Sequence, residues 1–385
     1  MAGLLMGSML SKHGYQVEIF EKSPRLGGKV GTEQTPTGPV EWGPNAIFAT
    51  EEITEWLKDL GLELVHTRPR LKRWIWSQCE RQSPRRRDIL KRVLPRLIKR
   101  APLITPSTTV ADYLRPLLGA RQIDALVSPA LQGIYGTTAD QLTVLSLWPQ
   151  LERYESLVYW KALKLIRGPK AKSTSFPQGM QEFVDALAKS IQGTIHLNYQ
   201  GEFELRPNTI ICTDAHTAAS LLENQWRDGA KLLRTISYLP ISSSTLHSSI
   251  RLPWSEQGFG VLFPRKEDMH SLGCLFNHSI FPGRVAKPAS SSITFILSDT
   301  TDPKALIDQD LQKLDWPSGD LLQKVYKYPL GLPLYNEARW SAIRQLHQSP
   351  TRPKSLVVFG NYVAGISLRD MINTASSFAE GLGVE

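Results

Sequence analysis

MAGLLMGSMLSKHGYQVEIFEKSPRLGGKV, residues 1–30, is the stretch that decides the fold. From Gly3 it reads as a buried helix: Leu5 and Met9 share one face, Met6 and Leu10 the next, and His13-Gly14 supplies a glycine stop. Tyr15 to Phe20 then reads as a short strand ending in the acid Glu21. Helix, tight turn, strand and acid make the back half of a βαβ nucleotide-binding unit, whose strand-end carboxylate accepts hydrogen bonds from both ribose hydroxyls. The front half, a strand and a glycine-rich turn, does not stand ahead of this helix. Gly27-Gly28-Lys29 follow the acid. Paired glycines let backbone approach a ligand without Cβ interference, and Lys29 or Arg25 can face phosphate.

Working outward, EWGPNAI (41–47) adds Gly43-Pro44-Asn45, a rigid loop suited to lie against a flat ring. FPQGMQEFVDALAKSIQGTIHLN (176–198) gives a loop, a helix with apolar Phe183, Leu187 and Ile191, and a strand. RPNTIICTDAHTAASLL (206–222) gives a buried strand running into a helix, a return to the first sheet. At the far end Leu356 to Phe359 is an apolar run ending in Gly360, with a loop and a helix after it. That arrangement aims a helix N-terminus and free amides at negative charge.

Between these pieces, residues 51–172 are mainly helical in pattern; the first helix has Thr50 as cap, acids in its opening turn and Gly61 at its end. Residues 237–298 are rich in strands and serine. The expected fold class is α/β. A discontinuous Rossmann-like domain (1–48, 175–222 and 345–385) carries a helical, basic insertion (49–174) and a strand-rich domain (223–344).

At 385 residues, 41% hydrophobic and 21% charged, the chain has the composition of a soluble globular protein. Three scattered cysteines make neither a disulfide framework nor a metal motif, and the eight histidines are dispersed, so a reducing compartment and no protein-ligated metal are expected. The apolar N-terminus lacks a preceding basic stretch and meets Lys12 at once, which argues against a signal peptide. No stretch has the length of a spanning helix. The net charge of +9 is concentrated between His66 and Arg100, where thirteen Lys and Arg face only Glu80 and Asp88. Residues 85–104 alternate basic and apolar side chains around Pro95, as a surface lying on anionic lipid does; a solvated basic face is the alternative. Nucleic acid is not expected.

EKSPRLGGKVGTEQTPTGPVEWGPNAI (21–47) resembles the flavin-dependent amine oxidase superfamily, most closely its protoporphyrinogen oxidases. QGIYGTTADQLTVLSLWPQL (132–151), GFGVLFPRKE (258–267), LPLYNEARW (332–340) and GNYVAGISLRD (360–370) follow in that family's order. The resemblance implies FAD held by Gly3, Glu21, Lys22, Gly27, Gly28, Lys29, Gly43, Pro44, Asn45, Gly360, Asn361, Gly365, Ile366 and Ser367. It implies hydride transfer from a porphyrinogen to the flavin, with oxygen as acceptor, on the cytoplasmic face of a membrane. Little acid–base machinery is then needed, and the sequence shows no nucleophile triad or carboxylate dyad. Arg73 in LKRWIW is the candidate for a substrate propionate, Gly133 for a carbonyl facing pyrrole N–H groups, and Tyr335 for the pocket wall by the flavin.

Three departures from the family pattern carry expectations. MAGL aligns with the last glycine of the phosphate-binding turn, so in-frame upstream coding sequence is expected to supply an apolar strand ending in Gly-x-Gly; without it, weak FAD binding is expected. NYQGEFELRP is long enough for only one tight hairpin where relatives place an excursion that reaches adenine. Asn361 stands where many members carry aspartate. Rival readings are a flavin enzyme acting on an amine or polyene, which needs an aromatic cage at the flavin, and a non-catalytic lipid- or partner-binding module.

Overall fold

The computed structural model describes all residues except 78–79, 83–92, 155–156, 167, 252–254, 256–257, 299–300, 317–320 and 383–385. Its first helix, Ala2–Lys12, is buried along nearly its whole length: Leu4, Leu5, Met6, Met9 and Leu10 are all buried, as are Ser8 and Ser11. It lies across two pairs of parallel strands. Val17–Phe20 pairs with Gly193–His196, and Thr209–Ile211 pairs with Leu356–Val358. The helix can bridge both pairs because it is bare where it touches them. A Cβ on Gly7 would come within 3.1 Å of Ile19, and one on Gly3 would stand 3.6 Å from Cys212. Helices Glu51–Asp59, Gln181–Ser190 and Leu368–Leu382 complete this core through Ile53, Leu57, Phe183, Leu187, Met371 and Ala375. Thr50 caps the first of them by accepting from Ile53 N at 3.3 Å, and Gly61 beyond its end has φ +78°.

Residues 49–174 do not form one helical unit. Ile47–Ala49, Val65–His66 and Lys172–Ser175 make a three-stranded antiparallel sheet, and Glu51–Asp59 belongs to the first core. Lys72–Ser77 and Glu80–Gln82 join a seven-stranded sheet ordered 321–333, 238–248, 291–297, 271–276, 258–262, 72–77 and 80–82. Trp74, Ile75 and Trp76 favour a strand and are buried there, and the segment docks in parallel on Gly258–Leu262. The helical core proper is built around Tyr113, Leu142, Leu151 and Tyr159. Its helix Ser128–Tyr135 follows a π-helical turn, Ile123–Val127, and closes on Gly136 in the left-handed conformation. No helix among the described residues is long and apolar enough to cross a membrane.

Candidate cofactor site

The N-terminal end of the first helix is the meeting point. Glu21 ends its strand there, its N–H donating to His196 O at 2.8 Å and its Oε1 accepting from Ser23 N at 2.9 Å. The Met1 backbone nitrogen lies among Cys212, Glu21 and Arg25. A Cβ on Gly28 would stand 3.7 Å from that nitrogen. Gly27 and Gly28 both have positive φ, +96° and +60°. At Gly27 only glycine fits, since a Cβ would lie 2.4 Å from Val30 O. Arg25 holds this turn from outside: Nη1 donates to Leu26 O at 2.8 Å, Nη2 donates to Gly28 O, and the guanidinium lies 3.5 Å over the Trp42 ring.

The other end of the chain closes on the same place. Phe359 N donates to Ile211 O at 2.9 Å, and a Cβ on Gly360 would reach 3.4 Å from Thr213 O. Buried Tyr362 lies in the fields of Cys212 and Asp214. Gly365 has φ +121°, where a Cβ would strike Asp370 at 2.6 Å, and Ser367 Oγ accepts from Asp370 N at 3.1 Å to start the last helix. That helix packs on the first one through Met371, Ile372 and Ala375. Glu21 and Gly27-Gly28 therefore meet at the N-terminus of the first helix, and the last helix, which starts at the bend 365–367, packs on that same helix. Backbone made bare by glycine and a carboxylate at a strand end fit the phosphates and ribose of a dinucleotide.

Lys29 differs from its expected part. Its ammonium donates to the carbonyls of Leu330 and Gly331, the latter at 2.6 Å, so it is turned to the long strand Leu321–Pro333 and not left for phosphate. Burial pulls its pKa down to about 8, against the pull of Asp214. Lys22 is exposed. A Cβ on Gly43 would press to 2.5 Å from Lys29 O, and Asn45 Nδ2 stands 3.5 Å from Asn277 Oδ1. The loop Gly43-Pro44-Asn45 is thus clamped between the glycine turn and the strand-rich sheet.

Several residues that hold this arrangement escaped the sequence reading. Tyr328 donates to Trp42 O at 3.0 Å, and Lys324 and Tyr326 both reach the Glu33 carboxylate, at 2.6 and 2.5 Å. Glu41 is 6% exposed and Arg284 3%; they stand 3.1 Å apart, with Thr32 Oγ1 donating to Glu41 at 2.6 Å. Arg339 donates to Tyr362 O at 2.8 Å and to Ser146 O at 3.1 Å, and lies 3.8 Å over the Tyr335 ring. A charged residue on the inner face of a helix was the one available signal, in NEAR (336–339). Tyr335 is buried, donates to Asn361 O and meets Tyr135 with ring centroids 5.3 Å apart. Burial raises its pKa. Arg73 lies over Phe259 at 4.6 Å, and a Cβ on Gly133 would lie 2.8 Å from Leu262, so both flank the strand Gly258–Leu262. Tyr135, on the helix of Gly133, links that strand to Tyr335. No hairpin forms in 197–208; the backbone there is irregular, with Asn198 at φ +54°.

Comparison with known proteins identifies the family. The family model for flavin containing amine oxidoreductases matches residues 1–200. The chloroplastic protoporphyrinogen oxidase of Oryza sativa subsp. japonica is 24% identical, covering 94% of this chain and 82% of its own. The coproporphyrinogen III oxidase of Staphylococcus aureus is also 24% identical, covering 94% and 92%. Among solved structures, a protein of Exiguobacterium sp. 255-15 superposes with TM-score 0.78 at 17% identity, covering 100% and 96%. Cyclohexylamine oxidase from Brevibacterium oxydans superposes at 0.66 with 14% identity, covering 100% and 96%. The chain belongs to the flavin-containing amine oxidoreductases, as an FAD-dependent oxidoreductase of their protoporphyrinogen oxidase-like branch.

Proposed function

We propose that this protein oxidises a porphyrinogen, protoporphyrinogen IX or coproporphyrinogen III, to the porphyrin in tetrapyrrole biosynthesis, with oxygen as final acceptor. The observation that carries the reading is that relatives named for each of these two substrates align over 94% of the chain. FAD held there would supply the hydride-accepting chemistry. Glu21 would hold the ribose, and Gly3, Lys22, Gly27 and Gly28 would flank the phosphates. Gly43-Pro44-Asn45, Gly360-Asn361 and Gly365-Ile366-Ser367 would line the ring system.

The residues facing that end support orientation over acid–base work. Arg339 directs its donors to backbone carbonyls, and Tyr335 is neutral and hydrogen-bonded to Asn361. Arg73, Gly133 and Tyr335 would line the substrate's path. Reduction under anaerobic conditions tests the reading. The yellow flavin band should bleach on adding protoporphyrinogen or coproporphyrinogen and stay unchanged with a primary amine. Bleaching by the amine alone, or a folded protein that takes up no flavin, contradicts it.

A peripheral attachment to anionic membrane is proposed for the helical region. Of residues 85–104, positions 85–92 lie outside the described residues. Beyond them Leu94, Ile98 and Leu103 are 58%, 76% and 61% exposed beside Arg96, Lys99 and Arg100. Trp160 N donates to Leu97 O at 3.0 Å, which sets the exposed Trp160 beside this segment. Apolar side chains ringed by cations suit an anionic headgroup layer.

A further inference from the structure

We infer that Tyr199, supported by Phe20, forms the surface on which the adenine ring of the cofactor stacks; the inference rests on the flavin reading above. Strand Val17–Phe20 turns Val17 and Ile19 toward the first core, and Phe20 is 46% exposed. In a strand successive side chains point to opposite faces, so Phe20 lies on the face away from the first helix. There it stacks on His196, centroids 5.0 Å apart and planes at 9°, and meets Tyr199 at 4.7 Å. An exposed aromatic cluster of this kind offers a flat π surface to a ligand.

The position of this stack names the occupant. Tyr199 N donates to the carbonyl of Glu21 at 3.0 Å, and Asn198 N to that of Ser23 at 3.1 Å. The segment leaving Gly193–His196 is thereby fixed alongside the acid proposed to hold the ribose, and Asn198 at φ +54° reverses the chain to do so. Tyr199 remains 37% exposed. Gly201 gives its ring room, since a Cβ there would sit 2.5 Å from Tyr199 Cζ. The base attached to a ribose at Glu21 would lie beside that strand end. Residues 197–208 hold no strand, so no excursion supplies an adenine contact, and the aromatic pair takes that place. Stacking needs only a π face, which tyrosine offers to any purine.

FMN, which lacks the adenylate half, separates this inference from the flavin reading. Binding of FAD and of FMN to the full chain is followed by flavin fluorescence. Tyr199→Ala should weaken FAD about tenfold, leave FMN unchanged, and be rescued by Tyr199→Phe. Phe20→Leu should move FAD in the same direction by less. FAD affinity unchanged in Tyr199→Ala overturns the inference, as does equal loss for FAD and FMN, which would mean that Tyr199 only holds the fold. Tight FAD binding with Tyr199 covered by another protein instead would show as unchanged FAD affinity. If the unaltered chain binds neither flavin, the cofactor reading falls and this inference with it.

Discussion

Replacing Arg284 with Met should destabilise the protein by about 3–5 kcal/mol, because it leaves a buried carboxylate without its counter-charge. Glu41 and Arg284 are almost wholly buried and stand 3.1 Å apart. Glu41 also receives Thr32 Oγ1 at 2.6 Å and Met180 N at 3.2 Å, while Arg284 donates to Ser175 Oγ at 2.5 Å. Glu41 leads directly into Trp42 and Gly43, so the pair ties the loop Gly43-Pro44-Asn45 to the irregular segment that precedes strand Ser291–Leu297. Glu41→Gln alone should cost a similar amount by burying an unmatched guanidinium. The double variant should cost less than the sum, with a coupling of about 2–3 kcal/mol. Urea unfolding read by tryptophan fluorescence measures all four proteins. The pH dependence adds a second check. Burial raises the Glu41 carboxyl, and Arg284 is the strongest influence opposing it. Without Arg284 the folded-state pKa climbs further above the unfolded one. A group raised in the folded state gives its full stability below the unfolded pKa and loses it as pH rises through the folded pKa. The Arg284→Met penalty should therefore shrink between pH 7 and about pH 5. A penalty below about 1 kcal/mol at neutral pH, additive single variants, or a penalty that grows on acidification would refute the reasoning.

Lys29 should show the opposite sign. Its folded pKa is about 8 against an ordinary 10.5, so across that window the folded chain has shed a proton that the unfolded chain keeps. Stability should rise with pH over that range, and the rise should vanish in Lys29→Met, as urea midpoints at several pH values would report. Gly27→Ala places a Cβ 2.4 Å from Val30 O at φ +96°; it should weaken flavin binding strongly and destabilise the protein by about 1–3 kcal/mol. Ile98→Glu with Leu103→Glu should lower sedimentation with phosphatidylserine vesicles while leaving flavin binding untouched; unaltered sedimentation would remove the membrane reading.

The readable parts of the sequence were the local ones. A buried helix, a glycine stop, a short strand and an acid could be placed from spacing alone; the helix spans Ala2–Lys12, and the strand, read from Tyr15, begins at Val17. Thr50 and Gly61 likewise mark a helix through short-range hydrogen bonding and φ. Contacts between distant segments left no such trace. Arg284 finds Glu41, and Lys29 finds Leu330 and Gly331, only because the strand-rich sheet docks on the first core. Arg25 and Lys29 looked free to meet phosphate because sequence shows a cation's charge and not the carbonyls it will reach. LKRWIW (71–76) sits within a region of helical rhythm, and its strand state depends on the parallel edge offered by Gly258–Leu262. Tyr199 lay in a segment read as a single tight hairpin, which the structure leaves irregular.

Hydrogen exchange of the backbone amides, with and without FAD, tests most directly whether the two ends of the chain serve one cofactor. Protection should appear together in residues 21–31 and 360–367, with the same dependence on FAD concentration. Protection of one segment alone, or at two different concentrations, would contradict a shared site.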